Sequence, residues 1–143
     1  RPLTVLSFRL DRELWGAGPL AFHVSNVVVY GLTCGLAGAF FASVAALHHG
    51  LAPNGVWFRS LWCTLLFAAH PLHTEVVANV TGRAEPLASA FMLISLLLCL
   101  RGCKGSVLWL VGSVLAGVLG VLCKETALVT PALMFIILAA WGR

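Results

Sequence analysis

The sequence predicts an all-α, multi-span bundle of transmembrane helices. Three observations carry that prediction. Apolar residue types make up 60% of the chain and charged ones 10%, with a mean hydropathy of +0.98. Uncharged runs recur at lengths near the roughly 20 residues that a helix needs to cross a hydrocarbon core of about 30 Å. A soluble chain of 143 residues would also have to cover its surface with more polar groups than this one owns.

The elements follow in order. The opening "RPLTVLSFRLDRELWGAGPLAFH", residues 1–23, sets Leu3, Leu6, Leu10 and Leu14 near helical spacing, with Arg9, Asp11, Arg12 and Glu13 off that stripe. It reads as an amphipathic helix lying along a membrane interface, with Trp15 at headgroup depth. Gly16, Gly18 and Pro19 end it. Five spans are expected after it, at about 24–47, 56–72, 84–100, 106–123 and 126–141. The second is short unless Pro71 and Leu72 extend it, and the third is short as well. Small residues in "GLTCGLAGAF" and "GSVLAGVLG" suit close helix–helix approach, although glycine is common in membrane helices generally.

Counting crossings sorts the connections into two sets. One holds residues 1–23, the polar stretch "HPLHTEVVANVTGRAEP" at 70–86, and Lys124–Glu125. The other holds residues 48–58, 101–105 and the end at Arg143. All the acids (Asp11, Glu13, Glu75, Glu85 and Glu125) fall in the first set. Lysines and arginines divide almost evenly: Arg1, Arg9, Arg12, Arg83 and Lys124 against Arg59, Arg101, Lys104 and Arg143. The positive-inside rule therefore leaves orientation open.

Several classes are excluded. The basic residues do not cluster, so no nucleic-acid partner is expected. The cysteines (Cys34, Cys63, Cys99, Cys103 and Cys123) are scattered through apolar runs, without zinc-type spacing or a disulfide framework. No signal-peptide pattern opens the chain.

Chemistry is expected in the first set, where ionisable groups must pair or face a cavity. Arg83 is expected to pair with Glu75 or Glu85, and Lys124 with a neighbouring acid. His70, His73 and Glu75 raise the question of a metal. Pro71 intervenes and no H-E-x-x-H pattern is present, so they are read as hydrogen-bonding residues and no metal site is expected. A histidine at the mouth of a polar cavity can also move a proton near neutral pH. Arg83 and Lys124 supply a planar fork and a point charge for phosphate oxygens such as those of a lipid headgroup. The alternative is that they only neutralise Glu85 and Glu125. Asn79-Val80-Thr81 matches the N-glycosylation acceptor pattern but lies too near helix ends for ready access.

Four blocks, "RPLTVLSFRLDRELWG", "FHVSNVVVYGL", "LLFAAHPLHTEVVANVTGRAEPLA" and "VLCKETA", resemble in that order blocks of the TMTC family. These are transmembrane and tetratricopeptide-repeat-containing proteins of the endoplasmic reticulum. Glu85 stands where the family more often has aspartate. The resemblance implies a multi-pass GT-C type glycosyltransferase of that membrane. Its donor is dolichyl phosphate mannose, and it mannosylates Ser or Thr of cadherin-type domains. No further cofactor is implied. The first set of connections is then luminal, with Arg101 and Lys104 cytosolic.

The resemblance also implies a first span and an acidic catalytic base upstream of Arg1, and tetratricopeptide repeats downstream, so that the fragment alone is expected to be inactive. Arg83 and Lys124 become candidates for the donor phosphate. His70, His73, Glu75, Glu85 and Glu125 become candidates for shaping the pocket or ordering the loops. Two other classes compete. A transporter or channel fragment would place ionisable groups mid-span or break a helix at the bilayer centre. A non-catalytic membrane scaffold would need neither.

Overall fold

A computed structural model describes residues 1–16, 18–47, 52–103 and 105–141, and every regular element among them is helical. Lys104, Arg143 and residues 48–51 of the second set of connections lie outside the described residues.

Helix α1 spans Pro2–Trp15. Proline suits its first turn, where no backbone N–H is needed. Gly16 ends it at φ 82, donating its N–H to the Arg12 carbonyl at 3.0 Å. The helix ends at the first of the residues expected to end it, and Pro19 starts the next helix within the 1–23 stretch. Helix α2 runs Pro19–Ala46 and α3 runs Pro53–Ala68. The expected extension of this second span to residue 72 does not occur. Pro71 lacks the N–H that would continue the ladder and restricts His70 before it. The chain turns instead into a short helix that the sequence did not announce, α4 (Leu72–Ala78). A 3-10 turn over Val80–Arg83 follows, capped by Asn79, whose Oδ1 accepts from Thr81 N at 3.0 Å. Then come α5 (Ala84–Gly102), α6 (Val107–Cys123), a 3-10 turn over Glu125–Val129, and α7 (Thr130–Trp141).

The burial pattern is that of a protein solvated by lipid. Of the 28 residues of α2, those fully buried are Asn26, Thr33 and Ala37, while Val28 and Leu32 lie exposed. Elsewhere the buried polar set includes Ser60, Arg83, Ser95, Ser113 and Thr130. A water-soluble fold does the reverse, so apolar solvent around the bundle is the physical reading. The chain is a membrane protein. Two helical stretches, Pro19–Ala46 and Val80–Gly102, are long and apolar enough to cross a bilayer. The other expected spans are shorter: α3 has 16 residues and α6 has 17. At about 1.5 Å per residue such a helix reaches roughly 25 Å, less than the hydrocarbon core.

Packing fixes the directions. Tyr30 meets Ala68 and Gly38 meets Thr64, so α2 and α3 are antiparallel. Thr33 donates to the Pro86 carbonyl at 3.0 Å, and Phe40 packs on the Leu96–Cys99–Ile137 cluster, so α5 runs parallel to α2. Helices α5 and α6 are antiparallel, joined by Ser95 and Ser113, each donating to the other's carbonyl at 2.7 and 2.6 Å. The small-residue stripes are used only in part. A methyl group on Gly38 would meet Thr64 Oγ1 at 2.9 Å, and one on Gly120 would meet the Ala127 Cβ at 3.2 Å. Gly31 and Gly35, by contrast, face open space.

One end of the bundle therefore gathers the starts of α2 and α5, the ends of α3 and α6, and the whole of α1 and α4. Thr4 of α1 donates to the Cys123 carbonyl at 2.9 Å, capping the end of α6. Phe8 meets Phe22 edge-on at 6.0 Å. The face of α1 that docks is Thr4–Ser7–Phe8–Asp11. The Leu6–Leu10–Leu14 stripe points away and is exposed, as an interfacial helix with one lipid face requires.

Candidate functional site

The polar stretch and the Lys124–Glu125 pair meet α1 at that one end, through three ion pairs. Arg83 closes the 3-10 turn and is only 1% exposed. Its Nε donates to Asn26 Oδ1 at 2.6 Å, Nη2 to the Phe22 carbonyl at 2.9 Å, and Nη1 to the Ser7 carbonyl at 3.4 Å. Nη1 also pairs with Asp11, and the guanidinium lies 4.5 Å from the centre of the Phe8 ring. Asn26 in turn donates from Nδ2 to the Asn79 and Val80 carbonyls, both at 3.2 Å. This network ties α1, α2 and the start of α5 into one unit. Gly82 permits the tight turn before Arg83, since a Cβ there would meet the Val76 carbonyl oxygen at 2.7 Å.

One expectation changes here. The partner of Arg83 is Asp11, not Glu75 or Glu85. Each guanidinium nitrogen also has a protein acceptor, in Asn26, Ser7 or Phe22.

Lys124 follows α6 and pairs with Glu85 in the first turn of α5. Its side chain is 18% exposed and that of Glu85 42%. This pair reaches solvent while remaining anchored. Glu125 pairs with Arg1, with Nη2 to Oε1 at 2.5 Å, at the exposed rim. The hydrogen bond from Arg1 holds the Glu125 carboxyl below its ordinary value.

His73 and Glu75 of α4 and Glu85 and Ser89 of α5 line a groove of about 320 Å³, with Tyr30 and Phe67 along its other side. Glu85 and Ser89 also line a second recess of about 270 Å³ against Thr126 and Ala127. His73 Nδ1 lies 2.9 Å from the Tyr30 hydroxyl, and its ring sits 4.7 Å from Phe67. His70 is exposed at the turn, with Nδ1 accepting from Leu72 N–H at 3.3 Å. These contacts place the seven residues at one end of the bundle: Arg83 in a buried tie, Lys124 and Glu85 in a part-exposed pair, His73 and Glu75 with Glu85 along the groove, and His70 and Glu125 at the exposed rim. No cluster of three or more His, Cys, Asp or Glu with metal-binding geometry occurs among the described residues.

Sequence reasoning missed three contributors: Asn26, Tyr30 and Asp11 as the Arg83 partner. Asn26 carried a signal, since a lone amide inside an apolar span must find partners. Tyr30 carried a similar one, as the chain's single tyrosine. For Asp11 the signal was absent, because the contact joins residues far apart in sequence.

The site is thus the polar end of an all-helical bundle, with a part-exposed cation beside a groove bordered by two carboxylates. Comparison with known proteins makes the class definite. The chain is 38% identical to mouse "Protein O-mannosyl-transferase TMTC4" over 143 residues, covering 87% of this chain and 19% of that protein. It is 39% identical to human "Protein O-mannosyl-transferase TMTC2" over 104 residues, covering 73% of this chain and 11% of that protein. It is 36% identical to mouse "Protein O-mannosyl-transferase TMTC1" over 139 residues, covering 90% of this chain and 14% of that protein. The chain belongs to the TMTC family of protein O-mannosyl-transferases. It spans about a fifth or less of the length of these curated relatives. No family model matches the chain, and no solved structure matches it.

Proposed function

We propose that this chain forms part of a protein O-mannosyl-transferase of the endoplasmic reticulum membrane, multi-pass, with the polar end in the lumen. The donor is dolichyl phosphate mannose and the acceptors are Ser and Thr hydroxyls of cadherin-type domains. The bond from the anomeric carbon to the donor phosphate breaks as the bond to the acceptor oxygen forms. Dolichyl phosphate leaves, and Lys124 stabilises its developing charge. Glu85 holds Lys124 in place between turnovers. Arg83 acts one step removed, by joining α1 and α2 to the start of α5. His70 orders the turn after α3, Glu125 ties the α6–α7 connection to Arg1, and Glu75 borders the groove. Removal of the acceptor proton is assigned to a carboxylate of a luminal loop outside residues 1–143. The single observation that carries this reading is the Lys124–Glu85 pair, an anchored, part-exposed cation beside an acceptor-lined groove, in a chain of this family.

The transporter or channel reading wants charge at mid-span. The acidic, basic and histidine residues of α2 and α5 sit near their ends, as His23, Glu85 and Arg101, and α6 and α7 carry none. Arg59 is the exception, about two turns inside α3 and exposed.

The test is mannose transfer from dolichyl phosphate mannose to a cadherin domain by the full-length protein. Lys124→Ala is expected to lower turnover by about 10²-fold, as for loss of one charge-stabilising donor, while the fold persists. Lys124→Arg should retain part of the activity. Full activity in Lys124→Ala would remove the phosphate role.

A further inference from the structure

The δ nitrogens of His70 and His73 meet different neighbours, a backbone N–H at His70 and a tyrosine hydroxyl at His73. His70 Nδ1 accepts the Leu72 N–H, so its ring hydrogen is on Nε2. The Tyr30 hydroxyl lies 2.9 Å from His73 Nδ1 and 2.9 Å from the Ala68 carbonyl oxygen. A carbonyl only accepts, and a hydroxyl has one hydrogen to give. The Ala68 carbonyl belongs to the last turn of α3, where the helix itself supplies no amide. Tyr30 is its donor among the described residues. With its hydrogen on the Ala68 carbonyl, Tyr30 accepts from His73, whose hydrogen then sits on Nδ1. Phe67 and Tyr30, with ring centres 4.7 and 5.4 Å away, fix the plane of the imidazole. Nε2 is left as a bare lone pair, with no donor among the described residues.

That ring lines two recesses: a groove of about 320 Å³, where the carboxylates of Glu75 and Glu85 supply further acceptors, and a wider one of about 510 Å³ shared with His23, His70 and Thr74. The geometry points to His73 Nε2 as the hydrogen-bond acceptor for a hydroxyl group of a ligand in the carboxylate-bordered groove, with Tyr30 as the positioning residue that sets the tautomer. The shared chemistry is an O–H donor, either on a sugar ring or on a Ser or Thr side chain. This ligand assignment rests on the transferase reading above, whereas the tautomer does not.

The test uses protein labelled with ¹⁵N-histidine in lipid nanodiscs, with the two rings identified by His70→Gln and His73→Gln. Nitrogen spectra distinguish bare from protonated ring nitrogens. His73 is expected to show a bare Nε2 and His70 a bare Nδ1. Tyr30→Phe should return His73 towards the common Nε2–H form. Methyl α-mannopyranoside and a serine-containing peptide are then added separately. A shift of His73 Nε2 with the mannoside identifies the sugar as the hydroxyl source, and a shift with the peptide identifies the acceptor. No shift with either, or an Nε2–H form of His73 in the unliganded protein, overturns the proposal.

In the full-length transfer assay His73→Asn, whose amide reaches only the Tyr30 side, should lose roughly tenfold or more. His73→Gln, whose amide occupies the Nε2 position, should recover part of it. Absence of wild-type transfer would sink the transferase reading and leave the nitrogen spectra to decide this one.

Discussion

Arg83 is the residue on which the polar end depends. A guanidinium 1% exposed survives only because Asp11 balances its charge and Asn26, Ser7 and Phe22 accept its hydrogens. Removing one member of such a buried pair costs about 3–5 kcal/mol, because the other charge is stranded. Arg83→Ala is expected to fall in that range, measured by unfolding in detergent. Asp11→Ala should fall near its lower end, since Asn26 and the carbonyls still hold the arginine. The double variant should cost less than the two singles summed, because they share one interaction. Independent, additive effects would mean that Asp11 and Arg83 do not meet. None of this could be read from the residues alone. The sequence identifies Arg83 as needing a partner, but it presents Glu75 and Glu85 as the near ones. The chosen partner comes from α1, 72 positions away by residue number (83 − 11).

At the scale of elements, the long uncharged runs were legible because length and hydropathy suffice to call for a helix in lipid. The 24–47 and 84–100 spans reappear as α2 and α5, each a few residues longer. The short α4 was not legible. Its seven residues follow a proline in a polar stretch, and their order comes from contacts that pattern cannot supply. Gly82 is one such contact, and the small-residue stripes show the same limit, since a stripe does not say which glycine faces a neighbour. Gly82→Ala is expected to cost about 1–3 kcal/mol and to loosen α4, because the Val76 carbonyl cannot move aside cheaply. Gly35→Ala, facing open space in the same family of stripes, should stay within about 0.5 kcal/mol of wild type. Equal effects at the two positions would contradict the packing described here.

Over the whole molecule, crossing arithmetic anticipated which connections share an end, and the ion pairs Arg83–Asp11, Lys124–Glu85 and Arg1–Glu125 join them there. The orientation of that end was not legible, because lysine and arginine divide almost evenly between the two sides. Nor was the number of full crossings, since three of the expected spans fold as helices shorter than a bilayer core. The central claim is that one aqueous compartment receives α1, α4 and the Lys124 turn together. Single cysteines at the exposed positions Glu13, Glu75 and Thr126, and at Asn54 and Gly105 of the opposite end, in a background without native cysteines, measure it directly. An impermeant thiol reagent applied to sealed vesicles should modify the first three from one side and the last two from the other. Modification of positions 75 and 126 from opposite sides would contradict the account.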